Sequence, residues 1–138
     1  MIAINLVQAA IVAHLKSKTA LTSTLANANE IRENQWQGND FAYPNVRVAM
    51  GEQNDLVAGS DCNVSVQSFS ILCFSENPSS KEADTIVGLV KDVLRNISIT
   101  KNGIHFSRIR CTGLIPAIRK DERTWRSEAM FRSIVTTP

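Results

Sequence analysis

Histidine and cysteine are scarce in this chain of 138 residues, and phosphate-binding glycine motifs are missing. The two histidines, His14 and His105, stand in no HExxH or HxE spacing and have no cysteine at ligand distance. A zinc site, which needs three or four converging ligands, is therefore not expected. Cys62, Cys73 and Cys111 form an odd set without a CxxC pair. Free thiols in a reducing cytosol follow, rather than a disulfide framework. Gly51, Gly59, Gly88, Gly103 and Gly113 compose neither GxGxxG nor the P-loop pattern, which removes the usual phosphate cradle. Cys111 and His105 share a strand parity but are separated by roughly 20 Å along one strand, too far for a nucleophile and its base. No cofactor, metal or catalytic residue is expected. Long hydrophobic runs are lacking too. The opening MIAINLVQAAIVAHLKSKT has no basic leader and is interrupted by Asn5, Gln8 and His14, so it reads as an amphipathic helix rather than a signal peptide. No stretch reaches the 18 apolar residues a membrane span requires, and the expected picture is a chain folded in a cytosol with no membrane partner.

What is present is ordinary globular material. The chain is 43% hydrophobic and 20% charged with a mean hydropathy of -0.08. Its length suits one domain over residues 1–138 that buries roughly 68% of the unfolded surface. The net charge of +2 conceals a split. Residues 1–100 hold 7 Lys/Arg and 10 Asp/Glu, while residues 101–138 hold 8 and 3. Opposite charge at the two ends of one chain suits self-association as readily as binding of a separate polyanion.

Along the chain, Ile4, Val7, Ile11 and Leu15 fall at helical spacing, widened by Leu6, Ala10 and Ala13, and predict a helix over residues 3–17. The Asn-rich stretch from Thr19 to Tyr43 predicts a long polar excursion with at most one short strand near Glu30 to Trp36. After Tyr43-Pro44, Val46, Val48 and Met50 alternate with Arg47 and Ala49, a half-buried strand that is expected to break at Gly51. Residues 63–75 carry apolar side chains on both parities, which predicts a central strand. Ser79 and Glu82 have capping-box spacing ahead of Ala83, Ile86, Val87, Val90, Val93, Leu94 and Ile97, the clearest helical stripe in the chain. A turn at Lys101-Asn102-Gly103, a strand over 104–115, a charged turn over Arg119 to Arg123 and a strand over 124–135 close the pattern. In the last strand Trp125, Ala129, Phe131 and Val135 share one face, and Arg126, Glu128 and Arg132 the other. The order α-(β)-β-β-α-β-β predicts an α+β fold with an antiparallel or mixed sheet of four to five strands packed against two helices. Asp121 and Glu122, flanked by Arg119, Lys120 and Arg123, read as a salt-laced hairpin tip rather than an acid/base pair.

Three features together resemble a known family. They are YPNVRVAM after a variable polar stretch, the central strand VSVQSFSILCFS, and the helix SSKEADTIVGLVKDVL ahead of a closing strand pair. This layout is similar to the tail terminator, or tail completion, proteins of long-tailed bacteriophages. The resemblance implies a structural virion protein, assembled in the host cytoplasm and located in the tail and neck. It would form a hexameric ring on the head-proximal end of the tail tube, end tube polymerisation and join the neck. Its partners would be further copies of itself, the tail tube protein and a neck or head-completion protein, with DNA only passing through the lumen. Long loops in compact domains are commonly functional. Residues 35–43 and 51–60, with the charged turn, are accordingly the expected contacts: Trp36, Phe41, Tyr43, Glu52, Asp55, Arg119, Lys120 and Arg123. Two alternatives share the size and the lack of chemistry. One is a head-closure or adaptor protein of the neck. The other, of a different class, is a small nucleic-acid-binding module using Arg108, Arg110, Arg126 and Arg132, with Phe106 and Trp125 interleaved.

Overall fold

A computed structural model describes residues 2–35, 42–56 and 64–137. In chain order the elements are α1 (Ile4–Lys16), α2 (Thr19–Thr22), a 3-10 turn (Ala28–Glu30), β1 (Ile31–Glu33), β2 (Asn45–Asp55) and β3 (Val64–Ser75). Then follow α3 (Lys81–Leu94), β4 (Ile99–Lys101), β5 (Ile104–Phe106), β6 (Arg110–Arg119) and β7 (Trp125–Thr136). The strands make one sheet in the order β1-β2-β3-β7-β5-β4, with β6 beside the first part of β7. β1 runs parallel to β2 and every other pairing is antiparallel. The α+β class and mixed sheet agree with the sequence pattern. The expected four to five strands do not, since the described residues hold seven.

Both long helices lie on the same face of the sheet. The inward stripe of α3, Ala83, Ile86, Val87, Val90 and Leu94, is buried as the spacing required. It packs on β3, β7 and β6, while α1 covers β1 and β2. The sheet meets the helices with Val46 and Val48, Phe69, Ile71 and Cys73, and Ala129, Phe131 and Val135. Phe69 and Phe131 are paired across β3 and β7 and stack with ring centroids 5.5 Å apart. β3 is flanked on both sides for its whole length, so the central placement read from its composition is correct.

Several elements differ from the sequence reading. β2 does not stop at Gly51 but continues to Asp55 through a bulge between Met50 and Gln53. A Cβ there would lie 3.1 Å from the Ser68 carbonyl oxygen of β3, closer than most side chains approach, so glycine lets the two strands run this near each other without adjustment. The polar stretch after α1 is partly built into the fold: Leu21, Leu25 and Ile31 are buried in the core. The long strand expected from Ile104 is split, because Ser107 to Ile109 leave the ladder and Ile109 turns inward to full burial. The Asn102-Gly103 turn closes a hairpin of β4 and β5 with both residues at positive φ, as a two-residue hairpin loop demands. The capping box is not formed either. Ser79 Oγ accepts from the Lys81 amide at 3.3 Å, but Glu82 instead accepts from the Ser75 hydroxyl at 2.7 Å, tying α3 to the end of β3.

One buried ionic cluster fixes the β1 edge. Arg47, expected to face out, is 4% exposed, and Glu30 is 2% exposed. Arg47 Nη1 donates to the Glu30 carbonyl at 2.6 Å and to the Val46 carbonyl at 3.0 Å, and Nη2 lies 3.7 Å from the Glu30 carboxylate. Arg32 Nη2 approaches the other carboxylate oxygen, Oε1, at 3.5 Å, while the Ala42 amide donates at 3.1 Å to Oε2, the oxygen that faces Arg47.

Candidate subunit-contact surface

The chemistry-bearing groups do not converge. His14 is buried between α1 and α3 and held neutral: burial lowers its pKa, and Lys18 and Lys101 add to the effect. His105 is exposed on β5, with Nδ1 2.8 Å from Thr100 Oγ1. Cys111 lies beside Phe131 and His105 beside Thr136 on β7, roughly 17 Å apart at the usual strand rise. The Cys73 thiol is fully buried and pushed up to about 12, so it is no nucleophile near neutrality. Among the described residues no group of His, Cys, Asp and Glu could hold a metal ion. No described helix is long and apolar enough to cross a membrane.

What the fold presents instead is surface. Among the described residues, one face of the sheet carries no helix. On it Phe74, Met130 and Arg126 are half-buried and Arg132 and Ile134 exposed. At one lateral edge β6 borders only β7 and exposes Leu114 (43%), Ile115 (38%) and Ile118 (45%). At the other edge, among the described residues, β1 pairs with β2 as far as Val48, and two adjoining clefts open along α1, the larger against Glu33 and Gln35 and the smaller against Ala49 and Met50 of β2. The smaller, of about 330 Å³, is lined by Ile4, Asn5, Gln8, Asn34, Gln35, Ala49 and Met50. Gln8 organises it. Its side-chain amide donates to the Val48 carbonyl at 2.7 Å and exchanges two hydrogen bonds, of 3.0 and 2.8 Å, with the amide of Gln35. Ile4 and Leu6, read as part of the buried stripe of α1, are in fact 44% and 55% exposed.

The expected contact residues are scattered across this frame. Trp36 and Phe41 lie outside the described residues. Tyr43 is 37% exposed at the entry to β2, ahead of a cis Tyr43-Pro44 bond. Glu52 and Asp55 are exposed, but on the strand rather than in a loop. Arg119, Lys120 and Arg123 sit at the β6–β7 hairpin tip. Because β2 and β7 both run antiparallel to β3, this tip and Tyr43 are at one end of the sheet and Asp55 at the other. The tip is more tightly wired than a solvated turn. The Arg119 guanidinium lies over the Trp125 ring at 5.2 Å, and Lys120 Nζ over the Phe74 ring at 4.9 Å. Arg119 also donates to the Glu122 carbonyl at 2.6 Å. Asp121 accepts from the amides of Arg123 and Thr124, which hold its carboxyl below the usual range. Of the basic surface read from the last strands, Arg110 and Arg132 are direct cross-strand partners, while Glu128 stands between Arg132 and Arg126.

Against known families, residues 9–136 match the family described as tail completion protein gp17. The chain belongs to that family. It is therefore a phage tail structural protein. A chain from the virion of a native gene transfer agent particle has the same fold, with a TM-score of 0.70 at 17% identity over 94% of this chain and 93% of that one. A second solved structure matches 100% of this chain and 99% of its own with a TM-score of 0.66 at 12% identity. No curated protein sequence matches.

Proposed function

We propose that this tail completion protein forms a ring on the head-proximal end of the tail tube, stops tube polymerisation there and provides the surface that joins the neck. The observation that carries the reading is the match of nearly the whole chain to the tail completion family. The fold supports it, being built for contact: one bare sheet face and two dissimilar lateral edges, each with exposed large apolar side chains. The solved virion-particle chain supports it as well, since a protein with this fold is part of an assembled particle. The ring would consist of copies of this chain, six in the reading adopted here. It would contact the tube protein on one side and a neck or head-completion protein on the other, with DNA passing through the lumen. Tyr43 and the tip formed by Arg119, Lys120 and Arg123 lie at one end of the sheet, and Glu52 and Asp55 at the other. Tyr43, Lys120 and Arg123 at one end and Asp55 at the other are the natural candidates for contacts to the two axial neighbours. Imaging of lysates from a phage lacking this gene tests the reading. Filled capsids with separate or overlong tails are expected. Tails of normal length joined to heads would overturn it.

A further inference from the structure

The two lateral edges of the sheet are complementary to each other. Edge β6, with sequence RCTGLIPAIR, carries Arg110 and Arg119 at its ends, no acid, and Leu114, Ile115 and Ile118 exposed between them. An open strand edge would ordinarily invite extension of the ladder by another strand. Here Pro116 has no N–H, the Ala117 amide is taken by the Asp84 carboxylate at 2.8 Å, and two register shifts distort the strand. Backbone pairing is thus blocked while the apolar side chains remain exposed, so the edge is suited to side-chain docking.

The opposite edge has the reciprocal character. Its clefts are lined by Ile4, Ala49, Met50, Ala9 and Val12 together with the Gln8–Gln35 amide pair. Glu33 lies on the wall, and Glu52 follows directly on the uncovered part of β2. Lys16, at the far end of the larger cleft, is the one cation among the lining residues. Across the sheet, Leu114 is aligned through Ala129 and Ile71 with Val48, the last β2 residue paired with β1, and Ile115 through Glu128 and Leu72 with Arg47. Arg110 is aligned through Arg132 with Ser68, which lies opposite the bulge containing Gly51 and Glu52.

We propose that the β6 edge of one copy docks in the clefts along α1 at the β1–β2 edge of the next, Leu114, Ile115 and Ile118 filling them while Arg110 and Arg119 face Glu33 and Glu52. The occupant is a second copy because one chain carries both halves, apolar to apolar and basic to acidic, on opposite sides of the same sheet. Such a contact is head-to-tail: it leaves a free half at each end, and it either closes into a ring or runs on as a filament. This assignment rests on the ring reading above and identifies its subunit boundary.

Native mass spectrometry of the full chain over a concentration series tests it. The unaltered protein is expected to form a closed oligomer. Ile115→Lys with Ile118→Lys alters exposed positions and should leave the thermal midpoint nearly unchanged while weakening assembly by about tenfold or more. Two charge-reversed chains, Arg110→Glu with Arg119→Glu and Glu33→Lys with Glu52→Lys, should each fail to assemble alone. Mixed in equal amounts they should form oligomers of alternating composition, because each then meets a complementary edge. Oligomers that persist in the isoleucine variant, or no recovery on mixing, would overturn the assigned boundary while leaving the ring intact. An unaltered chain that stays monomeric throughout would overturn the self-contact and the ring reading together.

Discussion

Arg47→Met is the perturbation that most sharply tests how the β1 edge is held. Methionine keeps the apolar stem and deletes the guanidinium, which donates to two carbonyls and faces the Glu30 carboxylate. Glu30, 2% exposed, would keep Arg32 and the Ala42 amide among the described residues. Removing one partner of a buried pair costs about 3–5 kcal/mol, because the remaining charge is left poorly solvated. Arg32 retains part of the compensation, which places the expected loss near the lower bound, at about 3 kcal/mol. Taking an unfolding slope of about 2 kcal/mol per molar urea, the midpoint should fall by ~1.5 M. The melting temperature should drop by roughly 12 °C at about 4 °C per kcal/mol. Glu30→Gln combined with Arg47→Met removes both charges, keeps an acceptor for the Ala42 amide, and should recover at least ~1 kcal/mol relative to additivity. Urea melts followed by circular dichroism measure all three chains. A single variant within about 0.5 kcal/mol of the unaltered protein, or strictly additive losses, would refute the claim that these charges hold β1 to β2.

Three further outcomes follow from the core. Val90→Asp places a carboxylate at a fully buried position in the middle of the α3 face, and should cost several kcal/mol and leave the chain largely unfolded at 37 °C by circular dichroism. His14 has its pKa lowered by burial, so the unfolded chain binds the proton more readily and stability declines as pH falls below about 6.5, the penalty growing until the folded group itself titrates. His14→Leu should flatten urea midpoints just below that pH. If the slope is unchanged, the burial argument is wrong. A thiol reagent should leave Cys73 untouched in the native protein and find three thiols after denaturation without reductant, as peptide mapping would show.

Much of the fold was legible because amphipathic patterns report which face is covered. The α3 stripe, the inward set Val46, Val48, Phe69, Ile71, Ala129 and Phe131, and the central place of β3 all follow from spacing. What was illegible depends on partners distant in sequence. The short strand expected near Glu30 to Trp36 is β1, and β5 is the first piece of the strand expected from Ile104, but β4 has three residues, too few for a period to show. Gly51 looks like a breaker until the Ser68 backbone is placed against it. Arg47 sits at a position that alternation assigns to solvent, and its burial rests on partners such as the carboxylate and carbonyl of Glu30, which spacing does not reveal. The same limit applied to the contact surface. The chain's two charge classes were visible, but placing Arg119, Lys120 and Arg123 at the opposite end of the sheet from Asp55 required the strand directions. The exposed Ile4 was hidden in an apolar stripe that read as core, and nothing in the composition of the expected strand 104–115 marked Leu114 and Ile115 as lying on an exposed edge.

The central claim is that this protein ends tube growth by capping it. The direct measurement is the length distribution of tubes polymerised from purified tail tube protein, imaged with and without a small molar amount of this chain. Capping predicts shorter tubes at unchanged tube number, each bearing a ring at one end, with the Ile115→Lys, Ile118→Lys chain inactive at the same concentration. Tubes of the same length with and without the protein, and bare at both ends, would contradict it.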